Sequence, residues 1–213
     1  MFTAPEARGS NKSHNLLVVP QRGLALEFAN TLAWRGSAPD ESLHAAADVV
    51  AWLSANKTMP TSAIDNLSKW LVAHPALAAT FLRDAIEIRE AIYRLLHSAA
   101  SSSVPATGDL RRLNHALHDA PPRAFLEQAD GNYGWRIDAK PTAPGFLAPV
   151  LWSAADILVG PDSARVRECA NHRCLWLFLD DSKNGSRRWC SMQMCGNRAK
   201  AQRHYLRSKG SSK

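Results

Sequence analysis

The sequence predicts a mainly α-helical chain with a small β-hairpin in its body, closed by a second hairpin and a helix that its cysteines tie together. Three observations carry that expectation. Apolar residues recur at helical spacing through most of the body. One Asp130-Gly131-Asn132 turn separates two short runs where the helical period breaks. All four cysteines fall between Cys169 and Cys195, inside the most basic part of the chain.

Residues 1–14 are polar and lack an apolar period, so they read as a flexible arm. From Gly23 to Trp34, Leu24, Phe28, Thr31 and Leu32 fall near one face of a helix, and Glu27, Asn30 and Arg35 gather around its other side and end. A second helix is expected from Glu41 to about Ala55, with Asp40 as N-cap and Leu43, Ala46, Val50 and Leu53 in period. A third follows Pro60, where Thr61, Ser62 and Asp65 supply capping chemistry ahead of Ile64, Leu67, Trp70 and Leu71. The fourth, Pro75 to Ala99, is the longest, with Phe81, Leu82, Ile86, Ile88, Ala91, Ile92 and Leu95 as its stripe, and it stops at the loop ASSSVPATG.

A further helix spans Asp109 to His118, then the hairpin, then a last body helix from Pro144 to Val159 before the break at Gly160-Pro161-Asp162. The chain thus divides into an arm (1–14), a helical body (15–162) and a C-terminal module (163–213).

At 213 residues, with 46% hydrophobic and 21% charged, the composition is that of a folded protein. No run reaches the eighteen or so apolar residues of a membrane span, and LLVVP at 16–20 is too short for a secretory signal. A cytoplasmic, reducing location is therefore expected, where paired cysteines more often hold a metal than form disulfides. The net charge of +7 is uneven. Residues 165–213 hold 12 Lys and Arg against Glu168, Asp180 and Asp181, a net of +9, and the rest carries −2. Such asymmetry points to a polyanionic partner, nucleic acid first and an anionic membrane surface second.

The cysteines are spaced as two pairs, Cys169/Cys174 and Cys190/Cys195, each with four intervening residues. Two short-range pairs brought together by a loop supply four soft ligands for a tetrahedral structural zinc site at low entropic cost. The competing readings are four reduced buried cysteines, or redox chemistry. His172 and His204 are expected to be solvated or to sit outside the ligand set, and Arg167, Arg173, Arg187 and Arg188 to offset the thiolate charge. Leu175 to Leu179 reads as a strand, returned toward Trp189 by the turn at Lys183-Asn184-Gly185. A module this small must draw most of its folding free energy from the metal. After Cys195 a basic helix follows. Arg187, Arg188, Arg198, Lys200, Arg203 and Arg207 are candidates for DNA phosphates, with Asn197 and Arg198 best placed to read base edges.

These residues resemble a known family. Cys169 and Cys174 followed by WLFLD, then RRWCSMQMCGNRAK, are similar to the CGNR-type zinc finger of bacterial proteins regarded as stress-induced transcription regulators. Upstream, LALEFANTLAWRG resembles the opening motif of the helical ABATE-type domain that accompanies this finger, with Glu27 where the motif has Asp, and GWRI fits a strand before its last helix. The resemblance spans residues 20–208 and implies zinc binding and DNA-binding transcriptional control.

The leading expectation is a transcription regulator whose body senses a small-molecule effector or forms a homodimer. A second makes the body a small-molecule binder or enzyme and the finger a clamp, with Glu27, Asn30, Thr31 and Arg35, beside Trp34, as candidate ligand-binding residues. A third is a protein-interaction module. No Ser-His-Asp set, Gly-rich phosphate loop or His-Glu-x-x-His pattern supports catalysis, so the chain is not expected to be an enzyme.

Overall fold

The computed structural model describes residues 17–129, 131–201 and 205. The expected arm at 1–14 lies outside them, as do Arg203, His204 and Arg207.

The described chain begins in a two-residue strand, β1 (Leu17–Val18), and Gly23, at φ 81°, turns it into α1 (Leu24–Ala29). This helix stops well short of the expected Trp34. Thr31 Oγ1 folds back to donate to the Phe28 carbonyl at 2.8 Å, and Leu32–Ala33 leave the helix as β2. β2 pairs antiparallel with β3 (Asp40–Glu41), so these acids are in a ladder rather than at a helix start. α2 (Ala46–Ala55) therefore begins later than expected, and its Asp48 accepts from the His44 and Ala45 N–H groups at 2.8 Å each.

α3 (Thr61–Ala73), α4 (Pro75–Ser101) and α5 (Thr107–Asp119) follow the expected stripes, although no side chain caps the start of α3. The hairpin forms as β4 (Phe125–Ala129) and β5 (Asn132–Arg136), with Ala129 opposite Asn132 and Gly131 at φ 80° in the turn. β1, too short to read from sequence, adds to β5 and completes a three-stranded antiparallel sheet.

The last body helix is two. Thr142 Oγ1 accepts from the Gly145 N–H to cap α6 (Ala143–Phe146), and α7 (Ala148–Val159) restarts after Leu147 with Pro149 in its first turn. Proline has no N–H to continue the ladder from the preceding turn.

α4 is the axis of the body, touched by α1, α2, α3, α5 and α7. Phe28, Leu53, Ile92, Leu96, Leu147 and Leu151 are fully enclosed around it. Truncating Ile92 to Ala should cost about 2–5 kcal/mol, because so enclosed a site collapses only in part; urea unfolding followed by circular dichroism measures it.

The same core takes residues from the C-terminal module. After a short 3-10 turn (Pro161–Arg165), β6 (Val166–Glu168) pairs antiparallel with β7 (Leu177–Leu179), and Val166 and Leu177 are buried against the body. The expected hairpin between Leu175–Leu179 and the chain near Trp189 is thus corrected: the strand's partner lies upstream. Leu175, at φ 58°, is outside extended geometry, and the Asp180 carboxylate gathers the Ser182 and Arg187 N–H groups and the Ser182 hydroxyl into a closed loop instead of a ladder.

A chain of charges runs beneath the module. Arg89, 1% exposed, pairs with both Glu41 oxygens and with Glu90. Arg35 grips Glu90 with two bonds of 2.8 and 2.9 Å and lies 3.8 Å from the Tyr93 ring centroid, while the Tyr93 hydroxyl donates to the Leu175 carbonyl at 3.0 Å. Burial raises the carboxyls of Glu41 and Glu90, but their arginine partners outweigh it and hold both below the usual range.

Candidate metal centre and the basic face around it

The first cysteine pair sits in the loop between β6 and β7. Cys169 N donates to the Trp176 carbonyl at 2.8 Å, and the Cys174 and Leu175 N–H groups both fold back on the Asn171 carbonyl, at 2.7 and 3.3 Å. That turn points both sulfurs inward. The second pair sits where Ser191 starts a wide helical turn, Met192–Gly196: its hydroxyl accepts from Met194 N, and its carbonyl accepts from Cys195 and Gly196 N at 3.0 Å each. A bond from Ala170 N to the Arg188 carbonyl, 2.8 Å, binds one half to the other.

All four Sγ atoms lie within 4.8 Å of one another, with Cys174 to Cys190 at 3.7 Å and Cys190 to Cys195 at 3.8 Å. Four thiolates around an ion at about 2.3 Å in a tetrahedron stand about 3.8 Å apart, so the donor set fits a metal of that size. As bare thiols they would share charge unevenly. A hydrogen bond from Cys190 pulls Cys169 down to about 5, donating that bond and burial push Cys190 far up, and burial pushes Cys174 up to about 12. A dication relieves this conflict, because all four can then be thiolates.

The arginines expected to offset the sulfur charge mostly do something else. Arg167 donates to the Ala164 and Val166 carbonyls. Arg187 donates to the Trp189 and Cys190 carbonyls and lies 4.4 Å from the Phe178 ring centroid, bracing the loop. The Asn171 amide reaches a sulfur, 3.4 Å from Cys195 Sγ, and backbone groups of Asn171 and Cys190 bond Cys169 while that of Trp176 bonds Cys174. His172 is exposed and outside the four-sulfur set.

Arg188, Asn197, Arg198 and Lys200 are exposed around the wide turn and the helical residues 197–201 that follow it. Arg188 packs 5.5 Å from the Trp189 ring centroid, and Arg198 lies 4.7 Å from that of Trp34, a body residue.

Of the body residues expected around a ligand, Asn30 faces the module. The Asn30 carboxamide pairs with β7 as a strand would, accepting from Leu177 N at 3.0 Å and donating to Leu177 O at 2.8 Å. Thr31 is buried on the Phe28 carbonyl, Arg35 is locked to Glu90 and to the Ala29 carbonyl, and Glu27 is exposed apart from them. None of these four lines the cleft between Trp34, Ser37 and the Asn171–Arg173 turn. Trp34 packs against the cysteine cluster, and Ser37 Oγ donates to the Arg173 carbonyl at 3.3 Å. LALEFANTLAWRG is therefore a dock for the cysteine module, a role that no local signal in the sequence distinguishes from a polar pocket.

Gly36 shows how tight the dock is. A Cβ there would stand 1.9 Å from the His172 carbonyl oxygen, so Gly36→Ala forces backbone apart. The variant should show faster hydrogen exchange at the Cys169–Cys174 loop amides while the amides of α4 keep their protection.

Residues 165–208 match the CGNR zinc finger family, and residues 22–161 match the ABATE family, described as "Putative stress-induced transcription regulator". No curated protein matches the chain.

Proposed function

The chain belongs to the ABATE family and ends in a CGNR zinc finger, and from that premise we propose that it is a DNA-binding transcription regulator whose Cys169, Cys174, Cys190 and Cys195 hold zinc. The observation that carries this reading is the joining of a four-sulfur centre to the start of a basic segment: Cys195 lies within the turn that leads into Asn197, Arg198 and Lys200. A metal at that centre fixes the turn, and a fixed turn presents cations along a phosphate backbone at little entropic cost.

Arg188 and Lys200 meet phosphates, joined by Arg203 and Arg207 farther along the chain, while Asn197 and Arg198 stand nearest to base edges. Arg187 braces the loop and is not a principal contact. The protein acts by binding rather than by catalysis. No described helix is long and apolar enough to cross a membrane, and a cytoplasmic regulator is the matching reading.

Fluorescence anisotropy of a labelled duplex with the zinc-loaded chain tests the proposal across a salt series. Affinity should fall steeply, and Lys200→Gln should weaken binding on all sequences alike and reduce the slope of log K against log salt by about one. Absence of duplex binding at low salt with zinc bound refutes the reading.

A further inference from the structure

We infer that the cleft between the body and the finger binds a phosphate group. The cleft has a volume of about 620 Å³ and is lined by Trp34 and Ser37 from the body and by Asn171, His172, Arg173 and Arg198 from the finger. Among the described residues no carboxylate lines it. Its chemistry is therefore two guanidiniums, an imidazole and small polar groups around a space suited to a small ligand.

Both arginines are exposed, and neither has an acidic partner among the described residues. Other arginines have their charge or N–H groups taken up within the fold: Arg35 pairs with Glu90, Arg89 with Glu41, Arg94 with Asp109 and Arg22 with Asp162 and Asp181, while Arg167 and Arg187 donate to backbone carbonyls.

One of the two cations is also held, and the backbone that carries the other is anchored. Arg198 stacks its guanidinium over Trp34, which restrains the plane and leaves the N–H fork at its rim free for a bidentate oxyanion. The backbone of Arg173 is fixed at both ends, its N–H donating to Asn171 Oδ1 at 3.2 Å and its carbonyl accepting from Ser37 Oγ. Charge-assisted, bidentate bonds to phosphate are among the stronger polar contacts a protein makes, and pre-ordered donors lose less entropy in making them. The site stands on this geometry and does not depend on DNA binding. A phosphate there touches residues of both parts and so holds the finger to the body.

The test titrates the full-length, zinc-loaded chain with inorganic phosphate against chloride of matched ionic strength, reading tryptophan fluorescence and binding heat. Cobalt-loaded samples report an intact four-thiolate centre in every variant by their absorption spectrum. Phosphate should bind saturably, Arg173→Gln and Arg198→Gln should each weaken it roughly tenfold, and Lys69→Gln, on an exposed face of α3, should leave it unchanged.

A short duplex then separates the sources of the group. If duplex displaces phosphate, the cleft takes a backbone phosphate; if both bind together, it takes a free phosphorylated molecule. A chain that binds phosphate but no duplex overturns the regulator reading and leaves the cleft assignment standing. Absence of saturable binding in the loaded protein, or unchanged phosphate affinity in both arginine variants with intact cobalt spectra, overturns the assignment.

Discussion

Replacing Cys174 by Ser should release the metal and unfold the finger while most of the body stays helical. A serine hydroxyl is a poor ligand, and a structural four-thiolate site holds its ion with about 10–16 kcal/mol of apparent binding free energy at neutral pH. Cys174 is 4% exposed and in contact with Cys190, so its loss removes a central donor rather than a peripheral one. Metal analysis of the purified variant should find loss of bound zinc, and duplex affinity should fall with it. Because the sulfurs must shed protons to ligate, zinc affinity in the parent protein should rise with pH, since Cys174, otherwise held up to about 12, and Cys190, held higher still, keep their protons until the metal displaces them. Competition with a chromophoric chelator at pH 6, 7 and 8 measures that slope.

The second large effect is expected in the body. Arg89→Met keeps the length of the side chain but strands Glu41, which loses both of its bonds to the buried guanidinium, and leaves Glu90 with Arg35 alone. Removing one partner of a buried ionic cluster typically costs 3–5 kcal/mol, so the variant should unfold at a visibly lower urea concentration. The pH dependence has a definite sign. Both carboxyls lie below their usual range in the folded chain, so the stabilisation is complete above the ordinary carboxylate pKa and is lost as the pH falls through the lowered folded values. Arg89→Met should therefore flatten the acid limb of stability against pH, and parallel urea titrations from pH 7 down to pH 3 test this.

The helices were legible because their stripes are long: α4 shows its period over seven turns, and no tertiary contact overrides it. The four-sulfur centre was equally legible, since spacing and exclusivity are local properties of the chain. What the sequence did not disclose is pairing across distance. Asn30 reads as a helix-end polar residue, and its complementarity to the Leu177 backbone depends on a contact between residues 147 positions apart. The strand β6 is three residues long and β1 two, below the length at which alternation has meaning. Thr31 folds back to end α1 early and the left-handed Trp34, at φ 53°, ends β2, and neither is a glycine or proline that would announce it. Arg187 and Arg188 are exposed neighbours with the same side chain, yet one braces carbonyls and the other packs on the Trp189 ring. Only the path of the loop separates them.

Val166 and Leu177 lie within the body's own core, 0% and 1% exposed. A finger of this kind is not portable. Excised and fused to another protein, it would carry an uncovered apolar face and an open socket at the Leu177 backbone, and would invite aggregation even with its metal bound. The two parts are thus constrained to be inherited together, and a change in either surface of the joint has to be answered by the other.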